Sequence, residues 1–296
     1  MAESKMSIPI KGEDDIFSSS PFIGIRRHRL LTDGQGVTTL VAFHRCPLDC
    51  KYCLNPQCKD DKGIWRYLTP RQLYDRLIID DLYFQSTGGG VVFGGGEPLL
   101  YPSFIKQMAE LCKGRGWKIS VESSLNVPIS HVQELTNTIS EYIVDIKDMN
   151  PAIYRAYTGK DNRQVIENLE YLVAQGCGEK VLVRIPAIKG YNTNEDIAQS
   201  EGDLHRLGIT RIEHLKYVTN PKEQAVNADR PMGNAICEVL KHIRMLIAKT
   251  NHIDYKPHEC QHKGDCLGTC PRCEYELNML KEVLEKRKSG GYNIKI

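Results

Sequence analysis

The chain lacks a charge bias: 39 Lys and Arg stand against 37 Asp and Glu, a formal net charge of +2. A balance this close to zero gives no reason to expect nucleic acid or an anionic membrane as a partner. No apolar run approaches the ~18 residues that suggest a transmembrane helix. The opening stretch, MAESKMSIPIKGEDD, is polar and mixed in charge, unlike a secretory signal with its apolar core. A cytoplasmic protein is the expectation. Without an export signal, the 11 cysteines do not read as a disulfide framework. In a reducing cytosol they read as metal ligands. One local charge excess exists, Arg26-Arg27-His28-Arg29, and it reads as a solvated face, an anionic contact being the alternative.

What is present suits a globular protein: 296 residues, 41% hydrophobic and 26% charged, enough for one large domain with an appendage. Residues 1–20 read as a loose leader, 21–225 as the main domain and 226–296 as a helix with a cysteine-rich segment. Strand patterns fall at Thr38–Phe43, Val91–Phe93, Lys118–Glu122, Tyr142–Lys147, Val181–Ile185 and Arg211–Tyr217. Helical spacing fills the intervals Thr69–Gln85, Ser103–Arg115, Ser130–Ser140, Asn162–Gln175 and Asn194–Arg206, with Thr69, Ser130 and Asn194 as N-caps. Upstream, Thr32-Asp33-Gly34-Gln35-Gly36 is a turn between two extended runs. Strict alternation implies a parallel sheet with right-handed crossovers. Six units are too few for a closed eight-stranded barrel. The expectation is an α/β fold, a partial (β/α)6 TIM-like barrel with a small C-terminal metal-binding appendage, its site at the C-terminal ends of the strands.

The chemistry centres on CPLDCKYC, where Cys46, Cys50 and Cys53 follow the first strand at C-x3-C-x2-C spacing. Three soft thiolates can hold three corners of a cubane cluster and leave the fourth iron open. A structural zinc site, with Cys58 as fourth thiolate, is the alternative. At the second strand end, Gly94-Gly95-Gly96-Glu97 offers close backbone approach and a carboxylate for a cationic group. Glu122 and Ser123 end the third strand. Asp145 and Lys147 end the fourth, and by alternation along the strand only one of them is expected inward. Arg184, at the fifth strand end, wants an anion, either a cofactor carboxylate or a structural ion-pair partner.

The stretch TTLVAFHRCPLDCKYCLNP resembles the cluster loop of the radical S-adenosylmethionine superfamily, including Tyr52 before the last cysteine. The resemblance implies a [4Fe-4S] cluster whose open iron chelates S-adenosylmethionine, and one-electron cleavage to a 5′-deoxyadenosyl radical that abstracts hydrogen from substrate. It implies that Gly94, Gly95, Gly96 and Glu97 form the motif that binds the cofactor's amino group. By the same resemblance Glu122, Ser123, Lys147 and Arg184 contact cofactor. Within the superfamily, DGQG, DIK with its downstream YTG, and RIPAIKGYN resemble segments of glycyl radical activating enzymes. The sixth strand departs from the pattern: Val218 occupies the slot where those enzymes place a histidine, with His214 earlier and Lys216 and Tyr217 nearby.

Cys260, Cys266, Cys270 and Cys273 form a C-x5-C-x3-C-x2-C set, strongly indicating one further metal site, either a second [4Fe-4S] cluster or zinc. His258 and His262 flank it and read as exposed. Cys112, Cys177 and Cys237 stand alone and read as small buried hydrophobes. The tail, RKSGGYNIKI, distantly echoes a glycyl radical loop but reads as a disordered terminus. Three functions are weighed: activation of a glycyl radical protein, maturation of a peptide, and non-catalytic zinc binding. The first two imply a protein or peptide substrate and an electron donor such as flavodoxin or ferredoxin.

Overall fold

The computed structural model describes residues 19–30, 32–216, 235–260, 262 and 266–296. Its strands are β1 (Ser20–Leu30), β2 (Val37–Phe43), β3 (Arg66–Leu68), β4 (Gly90–Gly95), β5 (Lys118–Ser123), β6 (Glu141–Asp145), β7 (Val181–Ala187) and β8 (Arg211–Lys216). They form one sheet in the order β3-β1-β2-β4-β5-β6-β7-β8. From β2 to β8 every pairing is parallel. These are the six alternating units expected. β1 and β3 extend the sheet with antiparallel pairings.

Helices follow their strands: α1 (Pro70–Leu77), α2 (Asp81–Thr87), α3 (Pro102–Cys112), α4 (Ile129–Leu135), α5 (Pro151–Thr158), α6 (Arg163–Ala174) and α7 (Asn194–Arg206). Beyond them lie α8 (Ala235–Thr250) and α9 (Pro271–Ser289). Thr69 caps α1 in a reciprocal box with Gln72, and Pro70 occupies the first turn. The single helix expected over Thr69–Gln85 is two. Asp80 leaves helical geometry (φ −92°, ψ 2°) to put its carboxylate beneath Arg27 and His28. The carbonyls of Ile78 and Ile79 each accept from Lys281 Nζ of α9 at 2.7 Å, that of Ile78 also from Asp81 N.

Two caps differ from expectation. Pro128 stands at the N-cap of α4, so Ser130 falls inside the first turn. Thr193, one residue before Asn194, caps α7 because its hydroxyl and Asp196 satisfy each other's backbone amides. α5 had no helical expectation; Asn150 caps it and Pro151 begins it.

Alternation sorts the strands cleanly. Ile119, Val121, Tyr142, Val144, Val181, Val183 and Ile185 join the main core under the helices. Their alternates, Glu122, Asp145 and Arg184 among them, face the lumen. A cavity of about 330 Å³ fills the lumen's N-terminal end, bordered by Gln35, Thr38, Lys118, Glu141 and Arg211. It lies at the end opposite the cysteines.

A second core joins the C-terminal helices to the barrel: Leu240, Ile247, Leu277, Leu280 and Leu284 pack on Val37, Leu82 and Tyr83. At its centre Arg244, only 1% exposed, donates to Tyr83 Oη, Tyr255 Oη and Glu276 Oε2 at 2.6, 2.8 and 2.9 Å. The basic run is therefore no solvated face. Arg27 joins Asp80 (2.7 Å) to Glu274 of α9 (2.5 Å), and His28 is buried between Asp80 and the Leu267 carbonyl. Arg29 pairs with Asp33. The tail is held as well, since Asn251 exchanges hydrogen bonds with the Lys295 backbone at 2.7 and 3.0 Å. Tyr217, Val218 and the expected boundary near 225 lie outside the described residues.

Candidate active site

The cysteine loop leaves β2 at Phe43 and rests on two supports. One is the end of β4. Arg45, in left-handed geometry (φ +73°), accepts from Glu97 N at 2.7 Å and donates to Cys58 O at 2.8 Å. A Cβ on Gly96 would stand 2.1 Å from Arg45 O, and one on Gly95 (φ +88°) 2.6 Å from the Ala42 Cβ. Glycine is demanded here by the protein's own backbone. The other support is the end of α5. Helix-end carbonyls lack intrahelical partners, and those of Tyr157 and Thr158 accept from Lys51 N (3.2 Å) and Asp49 N (2.8 Å). This gives the Tyr157-Thr158-Gly159 segment a physical role.

Cys46, Cys50 and Cys53 are all half-buried on this loop at the C-terminal mouth of the sheet. Burial, then the charge of Glu97, pushes the Cys46 thiol up to about 12. Burial also raises Cys50. Cys53 is held down to about 6, first by a hydrogen bond from Cys58. Cys58 is itself fully buried and pushed up by that bond. Lys147, whose charge acts on Cys50 and Cys53, lies beside them. Three soft donors with a cation nearby fit an anionic iron–sulfur cluster. Among the described residues no three His, Cys, Asp or Glu side chains stand at metal-ligating spacing, so neither cysteine set is drawn in to coordination distance.

Glu97 is 1% exposed, and its carboxylate is occupied. Oε1 accepts from Ser123 Oγ (2.7 Å) and Leu99 N (3.1 Å), while Oε2 accepts from Ser124 N (2.9 Å) and Oγ (2.7 Å). Burial raises its carboxyl above the usual range against those bonds. The side chain thus joins the ends of β4 and β5.

Asp145 and Lys147 form an ion pair. The expectation that only one points inward fails: β6 ends at Asp145, and Lys147, just beyond it, turns to its carboxylate. Arg184 donates to Glu122 Oε1 at 2.8 Å, Glu213 Oε2 at 3.3 Å and Thr32 O at 2.5 Å. The anion it meets here is a structural ion-pair partner. Gly94 faces Glu122 across the lumen wall, its added Cβ 3.1 Å from Glu122 Oε2. His214 turns to Glu201 of α7 at 3.1 Å.

In the sequence Tyr157 and Tyr191 stand out only as members of the YTG and GYN segments, and Asn126 not at all. Tyr157 and Tyr191 surround Tyr52, with ring centroids 6.1 and 5.9 Å from it and 5.0 Å from each other. Asn126 bridges Tyr154 Oη and the Asp161 carbonyl. All three sit in loops or at helix ends, where periodicity is silent. A fourth, Cys237, lies on α8 with its sulfur 3.6 Å from that of Cys273. Helical spacing to Leu240 and Arg244 marks it as inward, but nothing local ties it to a loop far along the chain.

Residues 40–200 match the Radical SAM superfamily. The chain is 30% identical over 193 residues to a pyruvate formate-lyase-activating enzyme of Clostridium pasteurianum, covering 64% of this chain and 79% of that one. It is 29% identical over 232 residues to a (2S)-3-sulfopropanediol dehydratase activating enzyme of Klebsiella oxytoca, covering 74% and 72%. A solved domain of a pyruvate-formate lyase-activating enzyme from Bacteroides vulgatus aligns at 24% identity and TM-score 0.40, covering 53% of this chain and 95% of that one. The chain belongs to the radical SAM superfamily, among its activating enzymes. The family's cofactors are a [4Fe-4S] cluster and S-adenosylmethionine. No helix among the described residues is long and apolar enough to cross a membrane.

Proposed function

We propose that this enzyme generates a glycyl radical on a partner protein in the cytoplasm, drawing its electron from a flavodoxin or ferredoxin. The observation that carries the reading is the trio Cys46, Cys50 and Cys53 at the mouth of a six-unit half-barrel, in a chain similar to activating enzymes over most of their length. The three thiolates would hold the [4Fe-4S] cluster. When bound, the cluster supplies the electron that cleaves S-adenosylmethionine and so provides the radical that removes hydrogen from substrate. The chain's residues bind and orient. Backbone of Gly94, Gly95 and Gly96 receives the cofactor's amino group, with Glu97 and Ser123 fixing that loop from behind. Tyr52 and its tyrosine neighbours shield one side of the cluster loop. Lys147 and Arg184 set the charge of the mouth, each balanced by its carboxylates.

The test is anaerobic incubation of reduced enzyme, S-adenosylmethionine and candidate partners encoded beside it. The expected result is a glycine-centred EPR doublet that collapses when the partner carries α-deuterated glycine. Cofactor cleavage without a doublet from any candidate counts against the reading. A second reading, a peptide maturase with an auxiliary C-terminal cluster, is favoured by the pocket that gathers the C-terminal cysteines. It requires peptide modification to vanish in Cys266→Ser and Cys270→Ser while uncoupled cofactor cleavage survives.

A further inference from the structure

Four thiols border one cavity where α8 meets the start of α9. Cys237 is 1% exposed on α8, and its sulfur lies 3.6 Å from Cys273 Sγ. Cys270 caps α9, its thiol accepting from Cys273 N at 3.5 Å and standing within hydrogen-bonding reach of the Cys273 thiol. Cys260 and Cys266 are the other cysteines close enough for their charge to act on Cys237. A cavity of about 260 Å³ is lined by Cys237, Cys260, Cys270 and Cys273 together with Lys241 and Arg272.

We propose that Cys237 is a metal ligand, and that Cys237, Cys260, Cys270 and Cys273 hold one structural zinc ion. The inference rests on the reading that the C-terminal cysteines bind a second metal, not on the activase reading. One sulfur–sulfur distance favours a single tetrahedral ion over a cubane. Thiolates about 2.3 Å from a tetrahedral zinc stand about 3.8 Å from one another, close to the 3.6 Å between Cys237 and Cys273. In a cubane each thiolate sits on its own iron and projects outward from a corner, so the sulfurs stand farther apart. Four thiolates on Zn²⁺ leave a net charge of −2, and Lys241 and Arg272 border the cavity to balance it. Lys241 also pairs with Glu238, and Arg272 shares Glu276 with Arg244; Glu259 and His258 complete the lining. A closed tetrahedral set has no open position, which suits a clip between two helices whose shared core is small.

The test measures zinc and iron on the full chain after anaerobic iron–sulfur reconstitution, for wild type, Cys237→Ser, Cys237→His and Cys112→Ser. Wild type is expected to hold one zinc beyond the iron of its N-terminal cluster. Chelator competition should show zinc bound on the order of 100-fold more weakly or worse in Cys237→Ser, since even outer-shell changes cost 10–100-fold. Cys237→His should recover part of the affinity, because imidazole also ligates zinc. Cys112→Ser, equally buried on α3, should hold zinc as wild type does, separating loss of a ligand from loss of packing. Cobalt in place of zinc gives a second readout: the thiolate-to-metal absorption of wild type should weaken by one thiolate in Cys237→His. Wild-type zinc affinity in Cys237→Ser, an unchanged cobalt spectrum in Cys237→His, or four extra irons with no zinc each overturns the proposal. None of these readouts involves a partner protein, so failure here leaves the activase reading standing.

Discussion

Ser124 holds Glu97 twice, its amide and its hydroxyl both donating to Oε2, at 2.9 and 2.7 Å. With Ser123 and Leu99 completing the set, the carboxylate is a rivet between the ends of β4 and β5. Glu97→Ala would strand four donors, those of buried Ser123 and Leu99 and two of half-buried Ser124. The expected loss is about 3 kcal/mol or more, since each unsatisfied buried group costs about 1–3 kcal/mol. Ser124→Ala should lose only about 1 kcal/mol. Urea midpoints give both values, and equilibrium dialysis should show cofactor affinity falling with the larger loss. Intact affinity in a destabilised Glu97→Ala would detach the rivet from the cofactor site.

Asp80 carries a pH dependence. Burial opposes its charge, but hydrogen bonds from His28 and Arg27, and their charges, hold the carboxyl below the usual range; the Lys281 cation also acts nearby. A depressed folded value means the stabilisation is present above the unfolded carboxylate's pKa, about 3.9, and is lost as pH falls through the folded one. Asp80→Asn should cost about 3 kcal/mol at neutral pH, as expected for breaking a buried pair. It should also flatten the fall in urea midpoint below pH 4. A variant as steeply acid-sensitive as wild type would move the effect elsewhere.

Arg184 and Glu122 face each other across the lumen at 2.8 Å. A double-mutant cycle with Arg184→Met and Glu122→Gln should return a coupling of about 1–2 kcal/mol, in the range for residues sharing an ion-pair network. If the coupling is near zero while Arg184→Met alone abolishes cofactor binding, the arginine serves the cofactor directly.

Cys58 touches Cys53 yet is fully buried beneath the loop. Cys58→Ala should retain about four irons per chain after reconstitution, the content of one cubane. Cys46→Ala, Cys50→Ala and Cys53→Ala should each lose most of theirs. Loss of iron in Cys58→Ala to the same extent would make it a fourth ligand.

The six parallel strands were legible because alternation and the glycine and proline punctuation between them are local signals. So were Thr69 as a cap and the thiol trio, whose spacing lies within eight residues. What could not be read is where partners are distant. Asp80 looks like a helical residue until Arg27 and His28 arrive from β1. Cys237 looks like one more small apolar side chain until Cys273 is packed against it. Arg27 and His28 look like surface because their acids, Asp80 before α2 and Glu274 on α9, are far along the chain. The pairing of Asp145 with Lys147 was not legible from the strand period, because β6 ends at Asp145 and Lys147 lies beyond it.

The ammonium of Lys281 closes the frayed end of α1 from about two hundred residues away. A growing chain must therefore reach residue 281 before its first helical layer is complete. Until then the Ile79 carbonyl lacks its Lys281 partner, and Leu82 and Tyr83 lack the apolar side chains of α8 and α9. Contacts of such sequence separation are costly to close and slow to form. The closing of that layer thus waits on α9, which acts as its latch.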